Sequence, residues 1–201
     1  MNKIFLFVLS LILIAACSKS NKDDNPAYVH YDINFNEVAP NEVYQAATAG
    51  IPGFLHVDSS HVTLGTAFRI YTIQNAALSN CSPPNVAWLL ASYDIWYIVA
   101  TVDSETRYIL TIDKMNNEWT LVSSGGTGMA DMITEARTLY SQYTPIFIES
   151  HEPDGFFFTL PELGDSNLTW FLLYPPRPLD QQSIKSLPEA MAYLNPACAS
   201  Q

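Results

Sequence analysis

Three strand-like segments follow one another in the middle of the chain and limit it to folds that contain an antiparallel sheet. Residues 93–102 are rich in β-branched and aromatic side chains, which favour strands. Residues 106–112 alternate in polarity, with one face formed by Thr106, Tyr108, Leu110 and Ile112. An Asn-Asn pair then predicts a turn before a third strand at residues 118–123. The pattern therefore predicts a β-meander.

A helical pattern follows the meander. Gly125, Gly126 and Gly128 interrupt the strand signal, and Pro145 ends the pattern. Between them, apolar residues recur at helical spacing: Met129, Met132, Ile133, Ala136, Leu139, Tyr140 and Tyr143. We expect this stripe, from Met132 to Tyr140, to lie on the sheet and to share one core with four residues of the meander: Trp96, Tyr108, Leu110 and Trp119. Truncation of Leu139 to Ala should then cost about 2–5 kcal/mol.

Further strand signals follow this helix. Residues 145–150 and 155–160 flank a Glu-Pro-Asp-Gly turn, which predicts a hairpin, and residues 168–174 predict one more strand. Near the C-terminus, Ser186 precedes a Glu by three residues, which is the spacing of a capping box. This spacing predicts a short helix that ends near Leu194.

The region before the meander mixes helix and strand signals. Asn41 as N-cap and Gly50 as a stop predict a short helix, followed by a strand at residues 53–57. Residues 66–73 predict a second strand, and residues 78–85 have the composition of a turn. Strands thus outnumber helices in the predicted order of elements.

These elements together predict an α+β domain. We expect an antiparallel meander with one amphipathic helix packed on a sheet face, a further hairpin and a short C-terminal helix. Residues 27–201 match the usual length of one domain and are enough to bury a sizeable core. The sequence therefore predicts a single globular domain over residues 27–201.

The charge of the chain is strongly negative. The sequence has 9 Lys and Arg residues against 20 Asp and Glu residues, and its net charge is −11. Such a field repels phosphate backbones and anionic headgroups. We therefore expect no nucleic-acid partner.

The first 16 residues have the features of an export signal. A basic start is followed by an apolar run that is shorter than the roughly 20 residues of a spanning helix. The stretch Ile14-Ala15-Ala16-Cys17 resembles the lipobox of bacterial lipoproteins. The resemblance implies that residues 1–16 form a signal peptide and that Cys17 becomes a lipidated (palmitate-bearing) N-terminus. An ordinary secretory signal or a short N-terminal membrane anchor is the alternative.

The residues after the lipobox predict how the domain is held. Residues 17–26 are polar and predict a tether. Two acyl chains on Cys17 give a stable anchor, whereas one chain is marginal. Ser18 stands where inner-membrane lipoproteins often have Asp, so the resemblance favours the outer membrane. Lys22-Asp23-Asp24 resembles short signals that carry some lipoproteins to the cell surface.

Two cysteines remain once Cys17 is acylated. Cys81 and Cys198 form an even pair, which outside the cytoplasm is a candidate disulfide. Such a bond would tie the C-terminal tail to the turn region before the meander. Two free thiols are the alternative.

Motifs for metal binding and catalysis are weak. His56 and His61 flank Asp58, but no third ligand stands at a recognised spacing, so the sequence favours surface or hydrogen-bonded histidines. The glycine-rich residues 123–128 precede a helix but match neither the P-loop nor the dinucleotide fingerprint, and predict a tight connection. Acidic residues group near the predicted hairpin turn: Glu149, Glu152 and Asp154. The sequence assigns no catalytic residue, no metal ligand and no cofactor.

The function predicted from these features is binding rather than catalysis. We expect a membrane-anchored envelope lipoprotein that acts as a protein-binding, adaptor-like or inhibitor-like module. The alternative is a glycan- or peptide-binding surface lipoprotein, which the aromatic content favours: 11 Tyr together with Trp88, Trp96, Trp119 and Trp170. A hydrolase is a further alternative. The ligand and the partner remain unassigned at this level.

Overall fold

A computed structural model of the chain describes the following residues: 28–151, 154–160, 170–174, 183–184 and 186–200. The expected signal peptide at 1–16, Cys17 and the expected tether at 17–26 lie outside the described residues. Within these residues, four α-helices have these bounds: α1 Asn41–Leu55, α2 Val86–Leu89, α3 Thr127–Leu139 and α4 Leu187–Leu194. Nine strands have these bounds: β1 Val62–Leu64, β2 Phe68–Ile73, β3 Leu90–Val102, β4 Thr106–Met115, β5 Glu118–Gly125, β6 Ile146–His151, β7 Asp154–Thr159, β8 Trp170–Tyr174 and β9 Ser183–Ile184.

The described strands form one mixed sheet. Their order across the sheet is β5-β4-β3-β2-β6-β7-β8-β9, and the short β1 pairs with β3 off this path. The β2–β6 pair is parallel and the other pairs are antiparallel. The predicted α+β class is confirmed, and with it the meander β3-β4-β5, the hairpin β6-β7 and the short C-terminal helix α4.

Turn chemistry sets the register of the meander. Met115 pairs with Glu118, so Asn116 and Asn117 form the two-residue loop of the β4–β5 hairpin. Their φ angles are 51° and 68°, the left-handed values that a type I′ turn requires at both central positions. Asn tolerates this region better than most residues. The Asn-Asn pair therefore fixes which residues of β4 and β5 face each other.

Helix α1 covers one face of the meander. Its buried residues Val43, Ala47 and Ile51 pack in a core cluster with Trp96 and Leu110. The backbone approaches the sheet most closely at Gly50, where an added Cβ would lie 2.6 Å from the Cβ of Leu121. Only glycine fits such an approach.

The predicted stop at Gly50 and the predicted strand at residues 53–57 are therefore wrong. Helix α1 continues through Gly50 to Leu55 and ends at His56, whose φ of 58° is left-handed. Gly50 is present because the helix packs closely against β5, not because the helix ends there. Single-sequence patterns do not distinguish these two uses of glycine.

Helix α3 covers the opposite face of the sheet. Its buried residues Ala130, Ile133 and Ala136 share a cluster with Ile109. Ile109 is the strand neighbour of Leu110, and adjacent residues of a strand point to opposite faces. The two helices thus lie on the two sides of the sheet.

The prediction of one core for α3 and the meander is consequently wrong. Trp96 and Leu110 pack with α1, and α3 packs with a separate set of residues from the centre of the sheet. Leu139 is 59% exposed, since α3 buries positions 130, 133 and 136 and ends at Leu139 rather than at Pro145. The predicted cost of truncating Leu139 does not hold in this structure.

A third cluster lies under the C-terminal helix. Ser186 caps α4, where its Oγ accepts a hydrogen bond from the backbone N–H of Glu189 at 3.3 Å. Met191 and Leu194 of α4 then pack with apolar residues of α2, β2, β6 and β7. The cluster includes Tyr71 and Ile146, which also border the cleft described below.

Candidate functional site

The predicted cysteine pair lies at the edge of the third cluster. A disulfide joins Cys81 and Cys198, with the two Cα atoms 5.2 Å apart. A distance of this size is usual for disulfides. Beside it, the Asn195 side-chain amide donates to the Leu78 carbonyl at 2.9 Å. Two independent contacts therefore hold the C-terminal tail against the loop after β2.

The His-Asp-His segment forms a surface turn and not a cluster of ligands. Asp58 caps the 3₁₀ turn Ser59–His61 through its contacts with Ser60. His61 Nδ1 lies 2.8 Å from Asp103 Oδ1, and both side chains are more than half exposed. This hydrogen bond raises the pKa of His61 above its usual value. Within the described residues, no group of three or more His, Cys, Asp or Glu side chains could hold a metal ion.

The glycine-rich segment is a tight connection from strand to helix. β5 runs to Gly125, Gly126 adopts a left-handed φ of 64°, and α3 begins at Thr127. Of the acidic group near the hairpin turn, Glu149 lies in β6, Glu152 lies outside the described residues, and Asp154 begins β7. The structure does not bring these predicted candidates into one site.

The tryptophans differ in how they are packed. Trp96 is fully buried, and Trp119 is half-buried against the α1 cluster. Trp88 stacks on Tyr28 with the ring centres 4.4 Å apart, so each ring covers one face of the other. The side chain of Trp170 lies outside the described positions. These three described rings act mainly in packing.

A cleft of about 480 Å³ opens at one end of the sheet, and residues from both the α1 side and the α3 side line it. It lies at the start of β2 and just before β6, because the amino ends of these parallel neighbours reach the same edge of the sheet. The larger apolar lining residues are Phe35, Val38, Phe68 and Ile146. Hydroxyl groups come from six: Tyr44, Thr66, Tyr71, Ser141, Tyr143 and Thr144. Of the described residues that line the cleft, Glu37, Arg69 and Arg137 carry the charges.

Arg69 enters the cleft from the α1 face, and the protein engages both of its terminal nitrogens, while its buried Nε has no hydrogen-bond partner among the described residues. Its Nη2 lies 2.8 Å from Glu37 Oε1 and 3.4 Å from Asp94 Oδ1. Its Nη1 donates to Ser92 Oγ and to the Tyr93 carbonyl. Two carboxylates thus exceed its single positive charge, and the side chain is only 13% exposed. Arg69 therefore has a structural role, because it connects the segment before α1 to β3.

Arg137 enters the same cleft from the α3 face, and its charge is not balanced. Its guanidinium carbon lies 4.3 Å from the centre of the Phe68 ring and 5.7 Å from that of Phe147. Nη1 donates to the Thr66 carbonyl at 3.1 Å. Across the part of the chain that the structure describes, no carboxylate pairs with Arg137. Burial lowers the pKa of its guanidinium, and the nearby Tyr44 oxygen opposes that shift.

Tyr44 supplies a further polar group on this side of the cleft. Its hydroxyl oxygen accepts a hydrogen bond from the backbone N–H of Ala67 at 2.9 Å. A phenol is both a donor and an acceptor, so its O–H proton remains available to a ligand. A neighbouring cleft of about 550 Å³ also borders Arg137 and Ser141.

Sequence reasoning missed this cleft. Its lining comes from the segment before α1, from α1, from the start of β2, and from the end of α3 with the loop that follows. No local motif spans these segments. One signal was available in the sequence. Basic residues are rare in this acidic chain, so Arg137 within the amphipathic helix is unusual.

Comparisons with known proteins add no family to this description. Within the described residues, no helix combines the length and the apolar character needed to cross a membrane. Searches against protein-family models, curated proteins and solved structures find no match to this chain. Any functional assignment must therefore be argued from the cleft and from the sequence features.

Proposed function

We propose that this protein is a lipid-anchored protein of the bacterial envelope that binds a peptide segment in the cleft between α1 and α3. Cys17 would carry the lipid, and residues 17–26 would tether the domain. The Cys81–Cys198 disulfide supports an extracytoplasmic location, because such bonds persist in oxidising compartments.

The cleft itself carries the proposal. Its volume of about 480 Å³ lies in the range of ligand sites, and apolar rings, hydroxyl groups and a guanidinium converge on it from separate segments. A peptide presents both apolar side chains and backbone polar groups, and therefore matches this mixed lining. Protein binding is the wider form of the same activity, since the segment can belong to a folded partner.

The membrane anchor is tested by labelling. Cells that express the full chain are fed a fatty-acid probe, and we expect label in the wild type and none in Cys17→Ser. Membrane fractionation of the same cells should move the variant to the soluble fraction. Label that persists in Cys17→Ser would contradict the assignment of this residue.

The cleft is tested with a variant that fills it. The full lipidated chain in detergent is applied to immobilised short peptides of random sequence, and bound protein is measured. Ser141→Trp places a bulky ring in the cleft from an exposed position. Thr120→Trp is the matched control, because Thr120 is an exposed residue of β5 that does not line the cleft. We expect Ser141→Trp alone to lose binding; equal binding by all three proteins would refute the cleft as the site.

A further inference from the structure

We propose that the ligand presents a free carboxylate, the C-terminus of a peptide, to the guanidinium of Arg137. This inference rests on the proposed function and specifies its ligand. It starts from the unequal state of the two arginines in the cleft.

The orientation of Arg137 is fixed before any ligand arrives. Contacts with Phe68 and Phe147 hold the guanidinium, and the bond from Nη1 to the Thr66 carbonyl limits its rotation. A guanidinium has five N–H donors, and this bond uses one of them. Within the described residues no second protein acceptor engages Arg137. The remaining donors are therefore free to bind a ligand in a fixed geometry.

The charge of the cleft favours an anion. Glu37 is the carboxylate among the described lining residues, and its Oε1 is already held by Arg69. Arg137 itself has no paired carboxylate among the described residues, in a chain whose net charge is −11. A half-buried charge without a counter-ion is costly, and an anionic ligand removes that cost.

The shape of the site favours a carboxylate at the end of a peptide. A planar carboxylate accepts two parallel N–H bonds from a planar guanidinium. The available Tyr44 proton provides a further donor on the same side of the cleft. Phe35 and Val38 line the cleft with apolar surface that suits the side chain of the last peptide residue.

A matched pair of peptides isolates the carboxylate. Titration calorimetry on the full lipidated chain in detergent uses acetyl-Ala-Ala-Phe as the free acid and as the C-terminal amide. We expect the acid to bind about tenfold or more tightly than the amide, the factor that a charge-assisted bidentate pair provides. Inorganic phosphate is added as a competitor, and it should displace the acid no better than acetate does.

Variants then assign the effect to one residue. Arg137→Gln should reduce the affinity for the acid to that for the amide, and Arg137→Lys should restore part of the difference. Arg107→Gln is the control, because Arg107 is paired with Asp131 at 2.7 Å outside this cleft. It removes the same charge and should leave both affinities unchanged. A circular dichroism spectrum confirms that each variant is folded, and the acid-to-amide comparison in the wild type stands without any variant.

The outcomes separate this inference from the proposed function. Equal affinity for acid and amide, with binding still lost in Ser141→Trp, would overturn the carboxylate and leave the peptide-binding cleft intact. Stronger displacement by phosphate than by acetate would overturn the carboxylate in favour of a phosphate ligand. If neither peptide binds, both the inference and the proposed function are overturned.

Discussion

The two faces of the sheet each bring one arginine to the same cleft, and they differ in how its charge is balanced. On the α1 face, Arg69 contacts Glu37, Asp94, Ser92 and a backbone carbonyl. On the α3 face, Arg137 has two aromatic contacts and one backbone carbonyl. Among the described residues, Arg69 thus has four polar partners in the fold, although its Nε has none, whereas Arg137 has one. The comparison therefore distinguishes two walls of the cleft: a structural wall at Arg69 and, in our proposal, a ligand-binding wall at Arg137.

The largest effect on stability should come from the disulfide, which lies at the edge of the third cluster. Its cluster contains Tyr71 and Ile146, two residues that border the cleft. Because the bond spans 117 residues, its loss should lower the free energy of unfolding by about 5 kcal/mol in the chain-entropy model. Urea denaturation of Cys81→Ser/Cys198→Ser against the wild type measures this loss.

The state of the two thiols is checked directly. Protein purified from the envelope without reductant is alkylated before and after reduction, and the mass is read. We expect no alkylation before reduction at Cys81 and Cys198. Two alkylated thiols in the unreduced sample would refute the bond and with it the expected loss of stability.

The next effect concerns the helix that carries Arg137. Ile133 is fully buried against the sheet and Leu139 is 59% exposed on the same helix. Ile133→Ala should therefore cost about 3 kcal/mol, as expected for a large-to-small core change. Leu139→Ala should stay within about 0.5 kcal/mol, the usual range for surface positions. Equal shifts in the urea midpoint would show that α3 does not pack as described.

The arginines themselves should differ in stability. Arg69→Met leaves Glu37 and Asp94 without their partner and removes two further hydrogen bonds, so we expect a loss of about 2–3 kcal/mol. Arg137→Met removes one hydrogen bond, the contacts of the guanidinium with Phe68 and Phe147, and a charge that has no paired carboxylate among the described residues. These losses and the relief of the buried charge oppose each other, so the effect should lie within about 1 kcal/mol of zero. Thermal or urea unfolding of the two variants without ligand provides the measurement. Equal losses would contradict the distinction between the walls.

The smallest effect concerns the exposed pair His61 and Asp103, which does not line the cleft. The bond to Asp103 raises the pKa of His61, so its contribution to stability is present below the unfolded-state pKa and is lost as the pH rises through the folded-state value. Asp103→Asn should lower the pKa of His61 toward its usual value. An NMR titration of the imidazole measures the shift, and an unchanged pKa in the variant would refute the contact. Because both groups are exposed, global stability should change little.

The sequence predicted the parts of the fold that local chemistry determines. The alternating β4 pattern, the Asn116-Asn117 turn and the Ser186 cap each depend on neighbours in the chain, and each has the predicted role. The prediction at Gly50 was wrong because glycine is needed there to make room for the side chain of Leu121, which lies far along the chain. The same holds for the core, since period-2 alternation does not say which helix covers which face.

The cleft was beyond sequence reasoning for a related reason. Arg69 and Arg137 look alike as residues, and their difference arises from Glu37 and Asp94, which the fold brings to one of them. No spacing in the sequence encodes that pairing. The lipidation of Cys17, in contrast, is predicted from adjacent residues in the sequence, and it stays a prediction.

The central claim is that Arg137, and not Arg69, receives the ligand, and side-chain NMR tests it most directly. The full lipidated chain in detergent is labelled with ¹⁵N-arginine, and the Nε–H signals are assigned from Arg137→Lys and Arg69→Lys. On addition of acetyl-Ala-Ala-Phe, we expect the Arg137 signal to shift and its exchange with water to slow, while the Arg69 signal stays in place. A shift of Arg69 alone, or no shift of Arg137 while the peptide is bound, would contradict the account.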